Sequence, residues 1–157
     1  MKLMKPKEVK AHIRWMIRRD MPEVLQIEQD SGGLWFEEDF LRCLRIRNCI
    51  GLVAEYGEHV IGFVIYELNK NSIRLVALRV SPEFQRRGVG HQFIARLIDK
   101  LSMHRRRCIV AEVPETNLDA QLFFKSQGLR AARVDREYFP SGEDAYVMVY
   151  CIGRGDQ

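Results

Sequence analysis

Long hydrophobic runs are missing from this chain of 157 residues, and with them any segment of the roughly 20 apolar residues that a membrane-spanning helix requires. A secretory pattern is missing too. Residues 1–10 carry lysines at 2, 5, 7 and 10, but no apolar stretch or small-residue cleavage site follows. Export is therefore not expected, and the cytoplasm is the expected location. Cysteine is sparse, with Cys43, Cys49, Cys108 and Cys151 and no CxxC pair, which argues against zinc-ribbon and thioredoxin-like spacings. Cys108 and Cys151 lie in alternating apolar runs, so reduced, structural strand thiols are expected. His59, His104 and the acidic run Glu37-Glu38-Asp39 lack partners at ligand spacing, and no metal site is expected.

What is present describes a globular protein. Hydrophobic residues make up 46% and charged residues 29% of the chain, with both signs mixed, which fits neither a disordered nor a fibrous class. Repeats and low-complexity linkers are absent, so a single domain over residues 11–153 is expected behind a basic, flexible leader at 1–10. The net charge of +4 favours an anionic partner without naming it. Arginines 105–107 form the densest basic cluster, but they follow a helical pattern, where cations meet the negative end of the helix dipole. No aromatic residues interleave with them as a single-strand-binding surface requires. Nucleic acid is not an expected partner.

Hydrophobic periodicity orders the elements. Residues 11–18 alternate, with Ile13, Trp15 and Ile17 on one side, and predict a half-buried strand. Asp20 offers a cap to a helix opened by Pro22 and stopped at Ser31-Gly32-Gly33. A second helix is predicted over about 36–45, with Leu34 and Trp35 in the loop before it. Strands follow at 49–56 and 60–68 around a Tyr56-Gly57-Glu58-His59 hairpin turn, and at 73–80. Val89, Phe93, Ile94, Leu97, Ile98 and Leu101 then mark an amphipathic helix running to about His104. A strand at 108–113, a short helix at 118–126 and two final strands complete an α/β pattern: a mixed, mostly antiparallel sheet of about seven strands flanked by about four helices.

The most specific feature is the turn after the strand ending at Val80. Ser81-Pro82 breaks the strand, and Gln85-Arg86-Arg87-Gly88-Val89-Gly90 opens the long helix. A helix's first turn has unpaired backbone N–H groups and a positive dipole end, and glycine lets backbone approach an anion closely. A P-loop would need Lys-Ser or Lys-Thr after the second glycine, where His91-Gln92 stands. A dinucleotide fingerprint would need a small residue where Phe93 stands. The remaining Gln-x-x-Gly-x-Gly turn resembles that of the GCN5-related N-acetyltransferase (GNAT) family, and the order of elements follows that family over nearly the whole chain.

The resemblance implies acetyl-CoA as cofactor. Its pyrophosphate would lie on Gln85, Arg86, Arg87, Gly88, Val89, Gly90 and His91, and its pantetheine arm along Leu78, Arg79 and Val80. Asn117 matches a cofactor-contacting asparagine of the family and equally suits an N-cap. Several segments resemble the branch that acetylates protein N-termini, including ribosomal-protein alanine N-acetyltransferases: Ile27-Glu28 followed by the Trp35 loop, Glu112-Val113 with Asn117, and Arg136-Glu137-Tyr138-Phe139-Pro140. The implied acceptor is a protein N-terminal amine, held by Leu34, Trp35 and Tyr138. A small-molecule amine, or a non-catalytic acyl-CoA-binding role, is the alternative.

An α-ammonium with a pKa near ~8 must lose a proton before it attacks a thioester. Glu112 matches the branch's proton acceptor, and strand alternation places it beside Cys108 and Val110, an apolar setting suited to a base. The branch's proton-donating tyrosine corresponds to Phe124, which has no proton to give. Three readings stay open: the thiolate leaves unassisted, Tyr138 supplies the proton, or the chain is not a competent enzyme.

Overall fold

The computed structural model describes residues 7–153. Seven strands form one sheet in the order β1-β2-β3-β4-β5-β7-β6. They are β1 (His12–Trp15), β2 (Cys49–Tyr56), β3 (His59–Leu68), β4 (Ser72–Val80), β5 (Cys108–Pro114), β6 (Arg130–Asp135) and β7 (Ala145–Cys151), and the four helices are α1 (Met21–Asp30), α2 (Glu37–Arg45), α3 (Val89–Ile98) and α4 (Leu118–Ser126). The β1–β2, β5–β7 and β6–β7 pairs are antiparallel and β4–β5 is parallel, as expected for an α/β fold of this kind. Two compact units divide the chain, one of Met1–Tyr66 with Val76–Ala95 and one of Glu67–Leu75 with Arg96–Gln157.

The first unit has a core of Met16, Met21, Val24, Ile27, Phe40, Phe63 and Ile65 among others. Phe40 and Phe63 are fully buried and meet edge to face at 5.4 Å. Truncating either to alanine would remove about 3–5 kcal/mol. β1 departs from the expected alternation: Trp15 is 74% and Ile17 45% exposed, while Met16 is buried. The chain leaves the edge of the sheet after Trp15 and enters a 3-10 turn at Arg18–Asp20, so Met16 turns inward instead. Arg14 bridges Asp20 and Glu55 on this edge, and an ion-paired face needs no apolar cover. Asp20 does not cap α1; its carboxylate accepts from the Ile17 amide at 2.8 Å and from Arg14. Cys43 and Cys49 are joined as a disulfide.

In the second unit β5 alternates between buried Ile109, Ala111 and Val113 and half-buried Cys108, Val110 and Glu112. Glu112 is therefore on the same face as Cys108 and Val110, as alternation predicts, and that face is the less buried of the two. Cys108 and Cys151 are directly opposed in the β5–β7 ladder and form a second disulfide. The expectation of reduced strand thiols is thus overturned at Cys108 and Cys151, because cross-strand register, which brings Cβ atoms together, is invisible in either strand alone. The helix expected to reach His104 ends at Ile98, where Lys100 and Leu101 amides close tighter turns on Leu97 and Ile98. The arginine cluster is consequently not a helix terminus: Arg106 donates to the Asn69 carbonyl at 2.6 Å and the Arg107 amide to that of Asn71.

Candidate active site

In the first unit, the turn between β4 and α3 is held in an unusual backbone shape. Arg86 has φ 62° and Gly88 φ 88°, and at Gly88 only glycine takes that geometry without strain. Gln85 ties the turn to the strand before it by donating to the Val80 carbonyl at 3.2 Å. The Arg87 guanidinium lies 5.0 Å over the Phe84 ring and donates to the Lys7 carbonyl at 2.9 Å. The helix opens directly from Gly88, whose carbonyl receives the Gln92 amide, so the first amides of α3, from Val89 onward, form its positive end. His91 lies on this first turn.

Residues 7–11 are tied to the same turn. The Val9 amide donates to the Arg87 carbonyl at 2.9 Å. The Gln92 side chain donates to the Val9 carbonyl at 2.6 Å and to the Gly88 carbonyl at 2.9 Å, and it accepts from the Ala11 amide at 2.9 Å. Val9 is buried. The leader expected at 1–10 thus docks from residue 7 onward; residues 1–6 lie outside the described residues.

β4 pairs with β5 over residues 72–75; residues 76–80 continue the strand without a β5 partner among the described residues. Leu78, Arg79 and Val80 occupy this stretch, whose backbone edge is of the kind that accepts an added extended chain. The Arg79 side chain is turned to Glu28, a buried carboxylate that it reaches at 3.2 Å. Glu28 needs the adjacent glycine: a Cβ on Gly33 would fall 1.8 Å from its Oε1. Beyond it Leu34 is 87% exposed, while Trp35 is half-buried, edge-on to Phe40 at 5.0 Å.

In the second unit, Glu112 and Tyr138 come together through Arg74. The Arg74 Nε donates to Glu112 Oε1 at 3.0 Å, its Nη2 donates to the Tyr138 hydroxyl at 3.1 Å, and its Nη1 lies 3.3 Å from Glu67 Oε2. Burial alone would lower the arginine's pKa, but the bonds to Tyr138 and Glu112 outweigh it and leave it raised. Asn117 caps α4 by accepting from the Ala120 amide at 3.1 Å. Phe124 is buried on α4 against Phe123.

Arg74, Gln92 and Glu67 were not singled out by sequence reasoning. A charged residue in the apolar run Ile73-Arg74-Leu75-Val76 was the signal available for Arg74. Gln92 carried none, since its partners lie 81 and 83 residues away. Among the described residues no group of three or more His, Cys, Asp or Glu side chains is placed to hold a metal, and no helix is long and apolar enough to cross a membrane.

Comparison with known proteins shows the family and the fold. The sequence profile of the acetyltransferase (GNAT) family matches residues 11–129. The [ribosomal protein bS18]-alanine N-acetyltransferase of Salmonella typhimurium is 30% identical over 137 residues, covering 85% of this chain and 92% of that protein. The crystal structure of the ribosomal-protein-S18-alanine N-acetyltransferase from Escherichia coli is similar at a TM-score of 0.79 and 26% identity, over 92% of this chain and 96% of that one. Arabidopsis thaliana NAA60 in complex with acetyl-CoA has the same fold, with a TM-score of 0.79 at 18% identity, over 91% of this chain and 99% of that one.

Proposed function

Given that this chain belongs to the GNAT family and is an acetyl-CoA-dependent N-acetyltransferase, we propose that it acetylates the α-amine of a protein N-terminus. The observation that carries the reading is the joining of Glu112 and Tyr138 on one guanidinium, since both residues resemble functional positions of the N-terminal branch. The relative that acts on a ribosomal-protein alanine supports the same acceptor class, and an acceptor of that class favours a cytoplasmic reaction.

Acetyl-CoA supplies an activated thioester. The turn of Gln85, Arg86, Arg87, Gly88, Val89, Gly90 and His91 fits its pyrophosphate, because the amides at the start of α3 carry a positive dipole end and two arginines add charge. Leu78, Arg79 and Val80 offer backbone to the pantetheine arm, with Asn117 and Phe124 on α4 as further cofactor contacts. Leu34, Trp35 and Tyr138 are the acceptor's contacts. Glu112, ionised beside Arg74, takes the proton that the attacking amine releases, directly or through one water. The nitrogen–carbon bond forms, the carbon–sulfur bond breaks, and the thiolate takes a proton from Tyr138, since Phe124 has none.

The test is a panel of N-terminal peptides, the same peptides with blocked α-amines, and small amines such as spermidine, read by release of free CoA. Unblocked peptides should be turned over and blocked ones not; a small amine outperforming every peptide would overturn the acceptor assignment. Glu112→Gln should lower kcat by roughly 10²–10⁴-fold while acetyl-CoA still raises the melting temperature. An unchanged kcat and pH profile would remove Glu112 from the base role.

A further inference from the structure

Arg74 has a hydrogen-bonding pattern that a stabilising ion pair does not need. Its three nitrogens reach three groups on three other segments: Glu67 on β3, Glu112 on β5 and Tyr138 between β6 and β7. A guanidinium has donors only. The Tyr138 oxygen must therefore accept from Arg74, and its own hydrogen is left to point at something else. In the same way one Glu112 oxygen is held by Arg74. We propose that Arg74 is the positioning residue of the reaction, orienting Tyr138 as proton donor and Glu112 as proton acceptor on a single cation. The inference rests on the reading that these two residues move the protons.

The charge balance favours this role. Before transfer, Glu67 and Glu112 are carboxylates, Arg74 is a cation and Tyr138 is neutral. When the amine's proton has passed to Glu112 and the Tyr138 proton to sulfur, Glu112 is neutral and Tyr138 is a phenolate. The total around Arg74 is the same in both states. Negative charge has only moved from one acceptor of the guanidinium to another, so one fixed cation serves the start and the end of the transfer without reorganising. With phenylalanine at position 124, this arrangement supplies on a loop the donor that α4 lacks.

The titratable groups facing the cluster are Glu67, Glu112, Tyr138 and, from β6, Arg133, whose guanidinium feels the charge of Asp135 first and of Glu112 less. Arg74→Gln leaves all of these in place and removes the central cation. With acetyl-CoA and an alanine-initiated peptide as substrates, kcat should fall roughly 100-fold while the KM for acetyl-CoA holds. Arg74→Lys, which keeps the charge but not the fork, should recover part of the rate. In a Tyr138→Phe background either Arg74 substitution should lose the part of its effect that runs through Tyr138. A kcat that Arg74→Gln leaves unchanged, or an undiminished effect in that background, would overturn the role. If Tyr138→Phe and Glu112→Gln both keep wild-type kcat, the underlying reading fails and this inference with it. Should Arg74→Gln lose the acetyl-CoA thermal shift through misfolding, the Arg74→Lys and Tyr138→Phe cycle decides alone.

Discussion

Asp20 is a buried carboxylate that satisfies three donors: two nitrogens of Arg14, both at 2.8 Å, and the Ile17 amide. Burial on its own would raise its pKa, but Arg14 and the amide outweigh that and hold it below the ordinary 3.8. A carboxylate depressed in the folded state adds stability that is complete above its unfolded pKa and is lost as pH falls through its folded pKa. Asp20→Asn should therefore lower unfolding free energy by about 1–3 kcal/mol at pH 7, and the gap between wild type and variant should close as pH drops below 3.8. Urea melts at neutral and acid pH measure this; a gap that stays constant would show that the bonds to Arg14 depend on shape alone. Gly88 was legible in the sequence because a motif named it, and its φ of 88° is a conformation that glycine favours. Arg74 was not, because a side chain whose partners come from β3, β5 and a distant loop has no local pattern.

At the level of elements, β2 begins and ends where alternation placed it, and α4 follows its cap and stop, whereas α1 forms without the expected Asp20 cap. The errors fall where tertiary contacts set the boundary. β1 is shortened by the Arg14 ion pairs, and α3 by the turn that carries residues 105–107 to the β3–β4 connection. The docking of residues 7–11 on the turn between β4 and α3 is the largest element-level feature with no sequence signal. It makes Gln92 a brace between two backbone stretches. Gln92→Ala removes three side-chain hydrogen bonds, and a turn less firmly held should bind pyrophosphate more weakly. The expected outcome is a rise of about 10-fold in acetyl-CoA Kd, equivalent to ~1.4 kcal/mol, with kcat on a fixed peptide little changed. Calorimetric titration reads the first quantity. A lowered melting temperature with unaltered Kd would confine Gln92 to holding the N-terminal segment in place.

For the molecule as a whole, the chain belongs to the family that the glycine turn pointed to, and its sheet includes the parallel pair β4–β5. Periodicity alone reached an α/β sheet of about seven strands and four helices, since it counts elements without ordering them. The covalent cross-links were missed because pairing depends on the finished fold. Cys43–Cys49 spans 6 residues and Cys108–Cys151 spans 43, and the longer loop restricts the unfolded chain more, contributing about 4 kcal/mol against ~2 kcal/mol for the shorter in the chain-entropy estimate. Unfolded without reductant, the protein should titrate no thiols with an aromatic disulfide reagent, and four after reduction; four at the outset would refute the pairing. The two sulfur bridges also bear on how turnover is watched. Each cycle frees one CoA sulfhydryl, and a chromogenic thiol reagent registers it against an enzyme whose own sulfurs are already spoken for. A reducing buffer would add an enzyme-derived background and would change the catalyst's covalent state during the measurement.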